Sequence, residues 1–310
     1  MGKVNLFVVG EPRCGTTALY HYFKRHNNCF LPSTKEPKYF CKEYFYKSKA
    51  NKRYFQYKKL EDYEKLYNFS QDRKYFCDFS TYYLFSKNAA KEIYKYNPEA
   101  KIIALFREPV DFLRSWQKQR LKDGLENITD FKKALNMEET RKKKSHKYKP
   151  FYERLFYSEW VKFSNHLKRY LDFFPAKNIK VIIYEDFKKD NQKIVDEICS
   201  FLGIEKIDIN EKHVNARKKF RFQKLRVLFT KNSLIGRYIN NLPPKLEKVK
   251  RYLIQKMIAK EDKSEINREY KKELMREYKS EVINLNKLLH KYNLMDKDRN
   301  LVKFWRYNQV

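Results

Sequence analysis

The segment GEPRCGTTAL (10–19) sets Gly10 and Gly15 five residues apart around an arginine and follows them with two threonines. In a loop of this kind that opens a helix, main-chain N–H groups converge on one point with the positive end of the helix behind them. That arrangement holds a phosphate-like anion, and threonine hydroxyls add donors. Arg13, Cys14, Gly15, Thr16 and Thr17 are the candidate ligating residues. The position after Gly15 narrows the anion. A nucleoside-triphosphate loop places lysine there, then Ser or Thr for magnesium. Here Thr16-Thr17 follow directly, and the cation sits earlier, at Arg13. A P-loop nucleotide kinase therefore stands as a rival reading with its lysine missing.

Two further segments carry chemistry. In IIALFREPVDFLRSW (102–116), Arg107 leaves the end of an apolar run and Ser115 follows eight residues on. A guanidinium fork with a hydroxyl suits a phosphate monoester. The alternative for Arg107 is an ion pair with Asp111. In STKEPKYF (33–40), Glu36 beside Lys35 offers a carboxylate that could take a proton from a weak nucleophile. Taken alone, it reads equally as an exposed glutamate. The six histidines are scattered and form no ligand cluster, so no metal is expected.

The elements around these residues alternate. Residues 4–9 are a short β-branched strand, Thr16 to Arg25 a helix, 29–31 a short strand, 86–97 an amphipathic helix stopped by Asn97-Pro98, and 101–108 a continuous apolar strand. Such a strand fits a parallel sheet buried on both faces. A helix over 110–121, a basic loop over 122–150, a long helix over 151–174 and a second buried strand over 179–186 follow. Asp190 caps the helix NQKIVDEICSFL, which Gly203 ends. Residues 40–75 read as aromatic, lysine-rich surface. The pattern predicts an α/β fold: a P-loop-like, doubly wound parallel sheet flanked by helices. Residues 1–225 would form the core. Residues 226–310 would form a helical C-terminal extension packed on it, broken at Pro243-Pro244 and ending in a helix over 262–290, the whole being one domain. Arg107 then lies at the carboxyl end of a strand, where open α/β sheets bind ligands.

In this order and spacing the segments resemble the PAPS-dependent sulfotransferases, in particular their heparan-type and bacterial branch, across residues 4–220. GEPRCGTT matches the family's 5′-phosphosulfate loop, Arg107 and Ser115 its 3′-phosphate segment, and STKEPKYF its Lys-Glu-x-x-aromatic-Phe motif. The resemblance implies PAPS (3′-phosphoadenosine-5′-phosphosulfate) as donor and PAP as product. It implies Glu36 as catalytic base, Arg13 stabilising the leaving phosphate, and Lys35 near the reaction centre. CDFSTYYLFS (77–86) matches a family segment, with Asp78 and Ser80 as acceptor-side candidates. The sequence departs there, because Phe79 stands where the family has lysine. HVNARKKFR (213–221) sits where the family closes a basic loop over the nucleotide, implicating Arg217 and Lys218. Tyr39 and Phe40 are aromatic candidates for contact with a sugar or other ring. FFPAKNIKVIIYEDFKKDNQKIVDEICSFLGI (173–204) matches a scaffold signature.

Composition bounds the rest. Of 310 residues, 42% are hydrophobic and 17% aromatic, enough for a substantial core despite 35% charged residues. The formal charge is +32, and residues 211–260 hold 15 Lys or Arg against two acids. This field attracts anions. A non-enzymatic polyanion-binding protein is the second rival, although such a protein has no use for the loop or Glu36 and no specific nucleic acid is implied. The abundance of Lys, Asn, Tyr, Phe and Ile also allows most of the charge to be solvated surface. The expected acceptor is a small molecule or saccharide, neutral or anionic. With six glycines at 2, 10, 15, 124, 203 and 236, GxGxxG cannot be written, which excludes that dinucleotide motif. Five cysteines at wide spacing without CxxC imply reduced thiols and a cytoplasmic setting. The first apolar run, 4–10, is too short for a signal peptide, and no run reaches the length of a membrane span.

Overall fold

The computed structural model describes residues 2–44, 55–143, 152–209 and 266–310. Five strands, β1 (Leu6–Val8), β2 (Cys29–Phe30), β3 (Tyr75–Phe79), β4 (Lys101–Phe106) and β5 (Ile179–Ile183), form a parallel sheet in the order β2-β3-β1-β4-β5. The chain runs from β1 outward to β2, returns to β3, then crosses β1 to build β4 and β5. That reversal opens a crevice at the carboxyl ends of β1 and β4. Both strands are buried on both faces, from Leu6 to Val8 and from Ile102 to Phe106, as their unbroken apolar sequences require.

Helices flank the sheet: α1 (Thr16–Phe23), α2 (Leu60–Glu64), α3 (Tyr82–Phe85), α4 (Ala89–Tyr96), α5 (Pro109–Lys122), α6 (Phe131–Asn136), α7 (Glu138–Lys143), α8 (Tyr157–Trp160), α9 (Phe163–Leu171), α10 (Tyr184–Lys189), α11 (Asn191–Leu202), α12 (Arg268–Glu277), α13 (Lys279–Lys291) and α14 (Leu301–Phe304). The α/β class and the parallel sheet match the expectation from sequence. So do the caps of α11: the Asp190 carboxylate accepts from Lys193 N–H at 2.9 Å, and Gly203 ends the helix at φ 60°. Among the described residues no helix is long and apolar enough to cross a membrane.

Four elements differ from expectation. The surface assigned to 40–75 sends aromatic anchors into the core: Tyr44, Phe55, Tyr63 and Tyr67 are buried among mostly exposed or half-buried described neighbours, and β3 begins at Tyr75. The helix over 151–174 breaks into a single tight turn (Tyr152–Leu155), α8 and α9. Its ladder is diverted by side chains. The indoles of Trp160 and Trp116 donate to the carbonyls of Glu153 and Arg154 at 3.0 Å each, and Ser158 N–H goes to Glu138 at 2.8 Å. The basic loop over 122–150 contains α6, capped by Asp130, and α7. The helix over 262–290 divides at Tyr278, at φ −92° and ψ 6°, into α12 and α13. Leu274, Val282, Leu285 and Leu301 on this C-terminal part belong to the same buried cluster as the sheet. Pro243-Pro244, Arg217, Lys218 and residues 144–149 of the basic run lie outside the described residues.

Candidate active site

The loop after β1 is pinned from below. Val9 N–H donates to Ile103 O, and Glu11 N–H to Leu105 O, at 2.9 Å each, so β4 fixes where the chain leaves the sheet. Beneath the loop, His166 Nδ1 lies 2.9 Å from Glu11 Oε1. Arg13 takes a left-handed φ of 68° and Gly15 one of 87°. A Cβ at Gly15 would stand 2.7 Å from the Phe187 ring, so glycine is required there both by conformation and by space. Gly15 O receives the first helical bonds, from Ala18 and Leu19 N–H, and no side chain caps α1. Beyond the turn over Pro12 and Arg13, no main-chain carbonyl among the described residues accepts from the N–H groups of Gly15, Thr16 and Thr17. Unpartnered main-chain donors at a helix N-terminus, with the helix dipole behind them, have the geometry that suits an anion. Thr17 is exposed there, Thr16 is nearly buried, and the Cys14 thiol is wholly buried, donating to Pro12 O at 3.7 Å.

Arg107 and Ser115 converge on the same loop. Arg107 Nη1 donates to Arg13 O at 3.2 Å, and its guanidinium lies 4.7 Å from the Tyr184 ring centroid. Arg13 Nε donates to Ser115 Oγ at 3.1 Å and its Nη1 to Gln119 Oε1 at 3.3 Å. The ion pair between Arg107 and Asp111 considered above is not formed, since Asp111 pairs with Lys271 at 2.8 Å.

Glu36, with Lys38 and Thr81, lines a cavity of about 510 Å³ that Arg13, Gly15, Thr16 and Thr17 also line, whereas Arg107, Ser115 and Lys35 are not among its lining residues. Lys35 Nζ and Lys38 Nζ each sit 3.2 Å from a different oxygen of Glu36, and Thr81 Oγ1 donates to it at 3.4 Å. Burial alone would raise the Glu36 carboxyl, but the ammonium groups of Lys38 and Lys35 outweigh it and hold the group below the usual carboxylate range. Glu36 and Lys38 are both left-handed, at φ 60° and 59°. With Arg13, three of the five non-glycine residues of positive φ among the described residues belong to this site. Strain of this kind gathers where a side chain must be aimed.

The other acceptor-side candidates, Asp78, Ser80, Tyr39 and Phe40, do not reach the cavity wall. Asp78 is fully buried and accepts from Ser80 Oγ at 2.6 Å and from Tyr63 and Tyr83 hydroxyls at 2.9 Å each. Ser80 Oγ in turn accepts from Lys38 N–H at 3.1 Å, and Tyr83 OH from Phe40 N–H at 3.4 Å. Tyr39 stacks on Tyr63 at 4.9 Å, and Phe40 meets the same ring edge-on at 5.3 Å. All four brace the Glu36 turn from behind. Phe79 packs edge-on against Tyr20 at 5.6 Å.

The sequence reading missed part of the wall: Lys38, although inside the quoted motif, and Tyr82, Trp116 and Arg120. Arg120 lies 3.7 Å from the Trp116 ring centroid, pairs with Asp123 at 2.7 Å and donates to Tyr82 OH at 3.4 Å. The spacing of Gln119, Arg120 and Asp123 at three, four and seven residues from Trp116, along α5 and its C-cap, was the available signal. A larger groove of about 810 Å³ beside β5 holds opposite charges already paired with each other, Asp186 with Arg299 at 2.6 Å and Lys180 with Glu197 at 3.0 Å.

Comparison with known proteins follows the same lines. The family model for the sulfotransferase domain matches residues 3–286. The bifunctional heparan sulfate N-deacetylase/N-sulfotransferase 3 of Homo sapiens is 25% identical over 199 residues, 64% of this chain and 22% of that protein. The membrane-associated sulfotransferase kil1 of Dictyostelium discoideum is 23% identical over 279 residues, 67% of this chain and 57% of that protein. The chain thus spans about a fifth of the first of these relatives and just over half of the second. A crystallised sulfotransferase from Alicyclobacillus acidocaldarius superposes with a TM-score of 0.71 at 22% identity, covering 99% of this chain and 100% of that one.

Proposed function

The chain belongs to the sulfotransferase family, and from that premise we propose that it moves the sulfuryl group of PAPS to a hydroxyl or amine of a small-molecule or saccharide acceptor. One observation carries the proposal: Arg107 and Ser115, from β4 and α5, both hydrogen-bond Arg13 of the loop, at 3.2 Å and 3.1 Å. Residues far apart in sequence thereby meet at one loop, which supports a ligand that carries charge at both its 3′ and 5′ positions.

In this reading the amides of residues 13–17 and the Thr16 and Thr17 hydroxyls hold the 5′-phosphosulfate, and Arg107 with Ser115 holds the 3′-phosphate. The acceptor oxygen or nitrogen attacks sulfur in line. The bond from sulfur to the bridging phosphate oxygen breaks, and PAP leaves. Glu36 takes the acceptor's proton, and its low proton affinity keeps it ionised and ready at neutral pH. Arg13 stabilises the charge arriving on the bridging oxygen. Arginine keeps its proton at neutral pH, so it serves by charge and hydrogen bonding. Lys35 and Lys38 fix the Glu36 carboxylate. Positioning and charge supply most of the rate, as in phosphoryl transfer.

The test is PAP release from PAPS against pools of hydroxyl and amine acceptors, with Glu36→Gln alongside. Turnover should fall by about 10²–10⁴-fold in the variant, the usual worth of a positioned base, while PAP binding stays unchanged. Thermal stabilisation by ATP with magnesium and none by PAP would overturn the proposal in favour of the kinase.

A further inference from the structure

Three acids neighbour Arg107 along the chain or next to its stacking partner, and it pairs with none of them among the described residues. Glu108 follows it in the chain. Glu185 follows Tyr184, the residue on whose ring the guanidinium rests, and Asp111 lies one turn into α5. A buried carboxylate without donors takes the nearest cation, because an unpaired charge away from water is costly. Here each acid is served from the C-terminal part of the chain. Tyr307 OH donates to Glu108 Oε1 at 2.5 Å, Trp305 Nε1 to Glu185 Oε2 at 3.0 Å, and Lys271 Nζ to Asp111 Oδ1 at 2.8 Å.

The donors are themselves fixed. Trp305 and Tyr307 are buried, and Arg306 makes the turn between them at φ 62°. Lys279 Nζ anchors the chain end through Val310 O at 2.6 Å, and Asn286 Oδ1 holds Leu301 N–H at 2.8 Å. The acids are also tied to the crevice. Glu108 caps α5 through Val110 and Asp111 N–H at 3.0 and 2.7 Å, and Glu108 N–H donates to Glu185 Oε1 at 3.1 Å. The contacts therefore bracket the Arg107–Tyr184 stack on both sides. An indole and a phenol give a hydrogen bond without adding a competing cation beside the guanidinium.

We propose that Lys271, Trp305 and Tyr307 are positioning residues for the 3′-phosphate: by occupying the three acids they keep Arg107 out of an ion pair and available to the nucleotide's anion. The inference rests on the reading of Arg107 given above.

Titration of the full chain with PAP in a calorimeter separates the two claims. The variants are Trp305→Phe, Trp305→Phe with Glu185→Gln, Lys271→Met, and Lys271→Met with Asp111→Asn. Trp305→Phe should weaken PAP on the order of tenfold, the scale of one charge-assisted hydrogen bond. Glu185→Gln should restore most of the loss, because the amide cannot capture Arg107 as a carboxylate does. Lys271→Met should act in the same direction by less, since its pair with Asp111 is part-exposed, and Asp111→Asn should reverse it. That second pair reads out even where Trp305→Phe fails to fold. Unchanged PAP affinity in the single variants overturns the inference, and so does a loss that neither acid-to-amide change restores, which is the mark of a purely structural tail. Wild-type chain that does not bind PAP removes the reading of Arg107 itself, and this inference with it.

Discussion

The wall formed by Arg13, Gly15, Thr16 and Thr17, joined through Arg13 to Arg107 and Ser115, hangs from the ends of regular elements, whereas the wall carrying Glu36 is a turn with no strand or helix of its own. On the first, β1, β4 and α5 deliver their residues by ordinary geometry, and one strained arginine joins them. On the second, two left-handed positions on either side of Pro37, Glu36 and Lys38, are kept in place from behind by a buried carboxylate, Asp78, acting through Ser80 and Tyr83. Each such position costs on the order of 1–3 kcal/mol unless its surroundings over-determine it. The first wall is therefore set by secondary structure and the second by a polar hub. The two should fail separately.

The sharpest way to break that contrast is Arg13→Ala. Arg13 is the one side chain that spans the first wall, reaching Ser115 and Gln119. Its removal should lower kcat by about 10²–10³-fold, the scale of losing one preorganised donor at developing charge. Folding should hardly change, because the side chain is exposed. A loss of only a few-fold in steady-state kinetics would take Arg13 out of the mechanism.

Next in size is Asp78→Ala. Three hydroxyls lose their acceptor in a buried site, at roughly 1–3 kcal/mol for each one left unsatisfied. Chemical denaturation should show a stability loss of about 3 kcal/mol or more. Turnover should drop while PAP affinity stays within about twofold, because distant sites act independently. If PAP affinity fell together with kcat, the walls would not be separate. The hub also has a pH signature. Burial lifts the Asp78 carboxyl from its ordinary 3.8 to about 6, against the hydrogen bonds from Ser80, Tyr83 and Tyr63 that pull it down. The native state thus holds this proton more tightly than the unfolded chain. The contribution is full below the ordinary value and is lost as pH rises through about 6. Asp78→Asn should flatten that part of the stability profile.

The same contrast governs what the sequence disclosed. The first wall was legible because its signals are local: two glycines and a threonine pair at one strand end, and an arginine with a serine two helical turns on. Strands β4 and β5 and the caps of α11 were legible for the same reason. The second wall was legible only as the motif around Glu36. Asp78 and Ser80 stand out together in the sequence, but as acceptor-side residues and not as a hub, since the other partners of Asp78 are Tyr63, fifteen residues upstream, and Tyr83, and a carboxylate inside YFCDF argues against a buried strand. The abundance of lysine makes the stretch over 40–75 read as surface, yet the rings of Tyr44, Tyr63 and Tyr67 within it are core. The contacts from Trp305 and Tyr307 lie 120 and 199 residues from their partners, beyond any pattern in a single sequence.

The smallest expected effect is on the proton affinity of Glu36, and it sharpens the comparison where the second wall does its chemistry. Lys38 Nζ stands 3.2 Å from Glu36 Oε2 and 4.8 Å from the Tyr82 ring centroid, so its charge is directed at the carboxylate from a nearly buried position. Lys38→Met keeps the chain length and the apolar stem and removes the charge. Burial, which by itself raises the carboxyl, is then opposed by a single ammonium, that of Lys35, so the Glu36 pKa moves up. The ionised form is the base, so the acid limb of kcat/KM must shift to higher pH. At and above neutral pH, where Glu36 is ionised in both proteins, the rates should agree within about threefold, and PAP binding should not change. A pH–rate profile checks this directly. An acid limb that stays in place in Lys38→Met would mean that Glu36 is not the group whose ionisation the rate reports, and the base would have to be sought elsewhere on the cavity wall.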